Sequence, residues 1–347
     1  MGISKLAVHD EEFLSGRFVY DEDIGHSIFS SEFNPDGLKD KWIQLHERFK
    51  ELGVALGYDS DINEYPVFEL HLNVHERVKQ ADCPAYVILL EDSHVYLPNG
   101  DKGLLSHYKK VFTWDDSLVD GDRFVKITFS PRITPAAFAS LSDRTLFCCI
   151  IAANKSLPAF SENDLYSERV RVIRWFERNA PDDFALYGGG WGHPPRKPGL
   201  AGKVLGLLFR ILRVQNWVKC FPSWKGKVDV KQDLLQSTKF TFAYENVSDV
   251  PGYITEKIFD AFSAGCVPVY WGASNITDYI PEDCFIDARK FADIASIYAF
   301  MKGMSDEEYY AYQHAIDSFI KSESIKMFSP ACFAHTISDS IIQDINA

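Results

Sequence analysis

The stretch from Lys239 to Asp287 (KFTFAYENVSDVPGYITEKIFDAFSAGCVPVYWGASNITDYIPEDCFID) constrains the fold most tightly. Phe240, Phe242 and Tyr244 alternate with Thr241 and Ala243, the period of a strand. Glu245 and Asn246 end that strand, and Ser248 to Gly252 is turn chemistry. Thr255 stands where a helix cap belongs, with Glu256 in the first turn. Ile258, Phe259, Phe262 and Ser263 give the helix its inward face, and Gly265 predicts a left-handed stop. Cys266 to Trp271 is a short strand almost without polar residues. A strand buried on both faces belongs in a parallel sheet. The whole reads as a βαβ unit whose polar residues gather at one end, in the loop before the helix.

That end has a chemistry. In an open parallel sheet, ligands sit beyond the carboxyl ends of the strands. A helix N-terminus there offers unpaired N–H groups and a partial positive charge, which suits phosphate. Lys257 lies in that first turn and adds a full charge. Glu256 is acidic for a phosphate site, so it is assigned to hydroxyls of a sugar or ribose. The same spacing also fits a plain helix-start residue at Glu256 and a solvated Lys257.

The run FAYEN…GYITEKIFDAFSAGCVPVYWG…YIP…FID resembles the donor-binding signature of the α1,3/4-fucosyltransferases, glycosyltransferase family ten. The family pattern is roughly F-x-x-x-F/Y-E-N, then Y-V/I-T-E-K, then A-G-x-V-P-V-x-x-G, with Ile254 here for the commoner valine. The resemblance implies an α/β protein of GT-B architecture: two Rossmann-like domains with parallel sheets facing a central cleft. It places an acceptor-binding domain over residues 1–143 and a GDP-sugar domain over 144–327. A C-terminal helix over 328–347 crosses back to the first domain. It implies GDP-fucose as donor substrate, with no cofactor and no metal required.

Composition narrows the class. At 347 residues the chain exceeds a single core, so two domains are the prior. A net charge of -13 argues against general nucleic-acid binding, which needs a basic face. The seven cysteines show no metal spacing. Cys148 and Cys149 lie in an apolar run and read as buried free thiols of a reducing compartment. Asp10, Glu11 and Glu12 interrupt the start, so no signal peptide is read. No stretch reaches the ~18 apolar residues of a membrane span. Animal members of the family are membrane-anchored Golgi proteins; this chain is similar to the soluble bacterial type. Its expected location is cytoplasmic, with a peripheral position on the inner membrane face tied to the basic stretch described below.

The first third alternates helix and strand, as an α/β domain does. Residues 1 to 37 are polar and turn-rich and receive no element. Leu38 to Leu52 predicts a helix, with Trp42, Leu45, Phe49 and Leu52 at helical spacing. Strands follow at Val54–Leu56, Val67–Leu72 and Ala85–Leu90. Between them, Asp59, Asp61 and Glu64 form an acidic loop. Asp59-Ser60-Asp61 has the D-x-D form of other glycosyltransferases' metal sites, but no nucleotide-binding context surrounds it. Glu91 follows directly on the strand AYVILL. Bacterial family members carry a glutamate here, proposed as the general base, then a variable loop and an F-D-x-V-F-T-W-like segment. Tyr108 to Trp114 stands in that place. A carboxylate suits the role, because a sugar hydroxyl must lose its proton as it attacks. The alternative makes Glu91 a loop cap and gives the chemistry to Asp92 or His94.

Phe124 to Ile133 reads as a strand, and Pro135 to Ser142 as the link to the second half. Leu146 to Ala152 is an apolar strand, followed by the polar loop Ala153 to Ser156. Tyr166 to Arg178 predicts a helix with Val170, Ile173 and Phe176 on one face. Arg169 aligns with the family's phosphate-binding arginine, whose fork can hold two oxygens at once. A shift of the alignment to Arg171, or a surface role, remains open. Phe184 to Trp191 is a strand entering three glycines, and Gly189 is assigned to close backbone approach by a ligand.

His193 to Lys231 carries nine lysines and arginines against one acid, Asp229. Val204, Leu207, Leu208, Ile211 and Leu212 repeat there at helical spacing. Such a helix over 199–219 either lies on an anionic membrane or docks on its own domain with the charges outward. Helices are expected at Asp293–Lys302, Asp306–Lys321 and Ala331–Ile345.

The resemblance thus implies an inverting transfer of L-fucose from GDP-fucose to an acceptor hydroxyl, α1,3 to a GlcNAc or Glc residue. Glu91 is the catalytic base. Arg169, Asn246, Tyr253, Glu256, Lys257, Tyr244 and Gly189 form the donor-binding set. The acceptor is an oligosaccharide or lipid-linked glycan. Two alternatives stand beside this: a relative using another GDP-sugar, and a non-catalytic glycan- or nucleotide-sugar-binding protein of the same fold.

Overall fold

Every strand ladder among the described residues runs parallel, as the apolar runs predict. The computed structural model describes residues 14–20, 28–32, 34, 36–58, 61, 65–134, 138–199, 202, 204 and 220–347. The chain divides into a first unit, Met1–Arg132 with Lys326–Ala347, and a second unit, Ile133–Ile325. The reading from the sequence set the junctions at 143/144 and 327/328. The earlier crossing has a physical cause. Thr134 donates its N–H to Ser263 Oγ, and Phe138 packs where a Cβ on Gly265 would come within 2.3 Å, so this segment is tied to the second unit.

The first unit is a sheet in the order β2-β1-β3-β4-β5-β6. Its strands are β1 (Leu14–Val19), β2 (Val54–Gly57), β3 (Phe68–Leu72), β4 (Ala85–Leu89), β5 (Lys110–Thr113) and β6 (Phe124–Lys126). Helix α1 (Asp40–Glu51) and the helix Pro330–Ile345 cover one face. There Trp42, Leu45, Phe49, Phe333 and Ile337 pack on Phe68, Leu70, Ile88 and Phe112. On the other face, Leu104 and Leu105 of the short helix α2 (Lys102–Leu105) and Tyr108 meet Val87, Leu89 and Val111. Full burial of β4 explains its unbroken apolar reading, and β3, buried along its whole length too, carries Glu69 and His71 inside.

β1 and β6 are among the elements that differ from the sequence reading. β1 lies in the stretch that received none. Its Gly16 sits where an added Cβ would come within 2.4 Å of the Phe68 ring, so the small residue is what lets β1 pair with β3. The strand expected over Phe124–Ile133 ends at Lys126. The Lys126 ammonium turns to Trp114 O (2.7 Å) and Asp116 Oδ1 (2.5 Å), and Ser130 takes φ +48°, which extended backbone cannot continue through.

A charged network lies inside the first unit. Glu69, 2% exposed, accepts from Arg17 Nη1 at 2.6 Å and meets His71 Nε2 at 2.9 Å. His71 Nδ1 lies 2.9 Å from the Tyr108 hydroxyl, and Arg77 stands 3.6 Å from Glu69. Burial raises the Glu69 pKa, but the hydrogen bonds from His71 and Arg17 and the charge of Arg77 outweigh it and bring it down to about 2. Burial also lowers the His71 pKa, against the pull of Glu69. In both cases the unfolded chain binds more protons in acid, so stability is lost as pH falls. The Glu69 share is complete above its unfolded value, ~4.3, and is lost as pH falls through about 2. Glu69→Ala is expected to cost about 3–5 kcal/mol at neutral pH, the penalty for breaking a buried pair, read from urea midpoints. The mutant should also lose part of the wild type's acid sensitivity.

The second unit is a sheet in the order β11-β10-β9-β7-β8. Its strands are β7 (Leu146–Ile151), β8 (Phe184–Tyr187), β9 (Thr238–Tyr244), β10 (Val267–Trp271) and β11 (Ile286–Asp287). The helices are α3 (Leu165–Asn179), α4 (Lys231–Gln236), α5 (Glu256–Ser263), α6 (Ile294–Gly303) and α7 (Asp306–Ile320). β9–α5–β10 is the βαβ unit read from the sequence, and Gly265 ends it at φ +61°. One core joins Ile173 and Phe176 of α3 to Phe240, Phe242, Val267 and Val269. Cys149, Ala261, Ala264 and Cys266 pack on the other face. All seven cysteines are free, and burial pushes the Cys148 and Cys266 thiols well above their ordinary value, toward inertness.

Residues 59–60, 62–64 and 205–219 lie outside the described residues, so the D-x-D and most of the basic helix over 199–219 receive no structural account. Among the described residues, no group of three or more His, Cys, Asp or Glu side chains could hold a metal ion. No helix there is long and apolar enough to cross a membrane.

Candidate functional site

The chain from β7 runs through α3 to β8 on one side, while β9 pairs with β7 on the other. At such a reversal the loops leave in opposite directions, and ligands bind beside the carboxyl ends. Here the two loops are stitched together: Leu165 donates its N–H to Asn246 O, Ser248 donates to Asn163 O, and Asp164 bridges Val247.

Arg169 crosses this junction from the first turns of α3. It is 4% exposed, and its Nη2 donates to Tyr244 O (2.6 Å), Glu245 O (2.7 Å) and Asn246 Oδ1 (3.0 Å). Its guanidinium also lies 4.9 Å from the Tyr166 ring centre. Burial lowers its pKa, against the opposing pull of Tyr166, Glu245, Tyr253 and Glu256. Nη2 is common to both forked edges of a guanidinium. With it committed to the chain, neither forked edge is left whole for the two-oxygen grip expected from the residue type. Arg171 sits on the outer side of α3 and pairs with Glu168 at 2.5 Å.

Asn246 links outward from Arg169. Its Nδ2 donates to the Tyr253 hydroxyl at 3.2 Å. Tyr253 is buried, and the loop bearing it is braced twice: Tyr270 Oη donates to Tyr253 O, and Gly252 N–H donates to Asn275 Oδ1. The start of α5 completes the group. Lys257 Nζ lies 2.9 Å from Glu245 Oε2, 2.8 Å from Thr255 Oγ1 and 3.8 Å from Glu256 Oε1. Burial works against the ammonium charge. The charges of Glu245 and Glu256 and the hydrogen bond to Glu245 outweigh burial and the repulsion of Arg169, so the net shift is upward.

Thr255 occupies the cap position, but its side chain makes no cap hydrogen bond. Its N–H and hydroxyl instead both donate to Glu245, at 2.8 and 2.7 Å. Thr255 therefore does not cap the first turn of α5 with its own side chain, and that helix start, where the partial charge is positive, lies beside Lys257.

The structure thus joins Arg169, Asn246, Tyr253, Glu256 and Lys257 around one point. Tyr244 has a different part: its ring is in the core, edge-on to Phe242 and Trp271, and it contributes through its carbonyl. Gly189 sits one strand further out. The positions that demand glycine are its neighbours, Gly188 (φ +120°) and Gly190 (φ +85°). A Cβ on Gly188 would come within 1.9 Å of Ala152 O, whereas one on Gly189 meets only Lys227 Cε, at 3.7 Å. Asn154, which the sequence reading left without a role, holds this loop. It is 3% exposed, donates to Gly190 O, His193 O and Pro194 O, and accepts from Arg196 N–H.

In the first unit, Glu91 stands just past the carboxyl end of β4. Asn73, in a left-handed conformation (φ +63°), accepts the N–H groups of Leu90 and Glu91 on its Oδ1. Asn99 donates to Glu91 O at 2.7 Å, and the Trp114 indole donates to Leu90 O at 3.0 Å. The backbone that carries Glu91 is therefore pinned from three sides. Asp92 is 3% exposed and turned to its own loop, where Oδ1 accepts the His94 N–H and meets His94 Nδ1, both at 2.7 Å. Asn154 and Asn73 carried no local signal, and Glu245 was read only as the end of its strand and as part of the family pattern. Each acts on residues that periodicity does not connect to it.

Residues 202–333 match the family model described as glycosyltransferase family 10 (fucosyltransferase) C-term. An alpha-(1,4)-fucosyltransferase of Arabidopsis thaliana is 34% identical over 101 residues, covering 27% of this chain and 25% of that protein. The chain thus matches about a quarter of that relative's length. A crystal structure of an alpha1,3-fucosyltransferase matches with a TM-score of 0.57 at 13% identity, covering 99% of this chain and 93% of that one. One of an alpha1,3-fucosyltransferase with GDP-fucose matches at 0.54 and 13%, covering 90% and 85%. At that identity the likeness is one of fold, and the fold is GT-B. The part of this chain that holds Asn246, Tyr253, Glu256 and Lys257 is thus similar to the C-terminal domain of glycosyltransferase family 10, the fucosyltransferase family.

Proposed function

We propose that the chain is an inverting fucosyltransferase that moves L-fucose from GDP-fucose to a hydroxyl of an acceptor glycan. One observation carries the reading. Two cations, Arg169 and Lys257, are hydrogen-bonded through Asn246 and Glu245 into one group at the start of α5, beyond the carboxyl ends of β7 and β9. That arrangement suits a nucleoside diphosphate. Lys257, Arg169 and the helix N-terminus hold the diphosphate charge as it grows. Glu256, beside Lys257, takes hydroxyls of the sugar or ribose.

In the transfer, the acceptor oxygen bonds to the fucose anomeric carbon as the bond from that carbon to the β-phosphate oxygen breaks. The sugar passes through oxocarbenium character, as in glycoside hydrolysis. Glu91 accepts the proton of the attacking hydroxyl, and GDP leaves with the bonding electrons. The 1,3 linkage to a GlcNAc or Glc residue is part of this proposal.

Calorimetry against GDP-fucose, GDP-mannose and UDP-galactose tests it, followed by mass spectrometry of N-acetyllactosamine incubated with the bound donor. The expected result is preference for GDP-fucose and a fucosylated product. Preference for GDP-mannose replaces the sugar. Binding of none of the three removes the reading.

A further inference from the structure

We propose that Glu245 is a positioning residue of the donor site and acts through Lys257. The inference rests on the donor reading above and adds a residue to it. Glu245 is fully buried, so it does not itself touch a ligand. Its carboxylate hydrogen bonds reach one three-residue segment: Oε1 accepts Thr255 N–H, and Oε2 accepts Thr255 Oγ1 and Lys257 Nζ.

The carboxylate cannot swing away. Its own N–H is tied to Trp271 O at 2.8 Å. Gly272 packs above it so closely that an added Cβ would come within 2.4 Å of both Glu245 Cγ and the Tyr270 hydroxyl. Tyr270 in turn accepts Ala273 N–H and donates to Tyr253 O. A rigid acceptor thus sets both the entry of the chain into α5 and the place of the ammonium at its first turn.

The arrangement has a purpose for the lysine. A lysine side chain has four rotatable bonds, and its head is driven toward water when the surroundings are buried. The Glu245 carboxylate offsets that drive and selects one rotamer before an anion arrives. Glu256, at 3.8 Å, is too far to do this with a hydrogen bond. When a diphosphate binds, the ammonium can share its three hydrogens between Glu245 and a phosphate oxygen.

The test is a double-mutant cycle read by calorimetric titration with GDP on the full chain: wild type, Glu245→Gln, Lys257→Met and the double variant. Glutamine can still accept from Thr255 but loses the charge that holds Lys257. The Glu245→Gln variant is expected to bind GDP about 10-fold or more weakly, as truncation of a buried charge pair does. The double variant should bind within about 2-fold of Lys257→Met, because a residue acting through Lys257 has nothing left to act on. Losses that multiply in the double variant overturn the proposal, as does unchanged or tighter GDP binding by Glu245→Gln. If Glu245→Gln does not fold, Glu245→Asp draws the carboxylate back by one methylene. It should then weaken GDP binding in the wild-type background and leave it unchanged in Lys257→Met. Wild-type protein that binds no GDP overturns the donor reading, and this inference with it.

Discussion

Glu91→Gln is expected to lower kcat by about 10²–10⁴-fold, the share a positioned general base contributes, with GDP-fucose binding at wild-type strength. The reasoning is local. Glutamine keeps the volume of the side chain, and the backbone it hangs from is held by Asn73, Asn99 and Trp114. The substitution therefore removes a proton acceptor and little else. A kinetic assay of transfer, paired with donor titration, separates the two parameters. Loss of donor affinity without loss of kcat would reassign Glu91 to binding. Full activity would move the base to another group, and the neighbouring Asp92 is poorly placed for it, being turned to His94.

Arg169→Ala should have the second large effect, on the donor. Its guanidinium does two things at once. It neutralises the carbonyl oxygens at the end of β9, and it places a positive charge beside the start of α5. Removal leaves three acceptors without their donor and takes one charge from a diphosphate. Loss of a preorganised donor of this kind costs about 10²–10³ in rate. We expect kcat/KM for GDP-fucose to fall by at least that factor, with a visible drop in thermal stability. Arg169→Lys should recover stability better than activity, because an ammonium is a point charge and lacks the separate nitrogens by which a guanidinium spans the β9 carbonyls and reaches beyond them. Equal recovery of both would indicate a purely structural arginine.

The two residues differ in how visible they were. Glu91 follows an apolar strand, and its position at a carboxyl end is legible from the run AYVILL alone. What holds it is not legible. Asn73 lies 18 residues away and Asn99 eight, on separate loops. Arg169 was recognisable only through resemblance, because its helix carries Arg171, Arg174 and Arg178 as well. The structure distinguishes them by burial: Arg171 pairs at the surface with Glu168, and Arg174 lies over Phe221. Thr255 shows the converse. Residue type and spacing mark it as a cap, yet its hydroxyl is taken by a buried carboxylate ten residues earlier.

By itself the sequence determined the βαβ unit over 239–287, the parallel class of the sheet that holds it and the end at which polar residues collect. Those features depend on neighbours one to four positions apart, which alternation and helical spacing report directly. It did not determine the acceptors of Arg169, 75 to 77 residues along the chain, or the carboxylate that holds Lys257. Those follow from the placement of β9 beside β7, which brings two distant loops to one point. Strand order is set by how whole faces bury against helices, and no local pattern contains it.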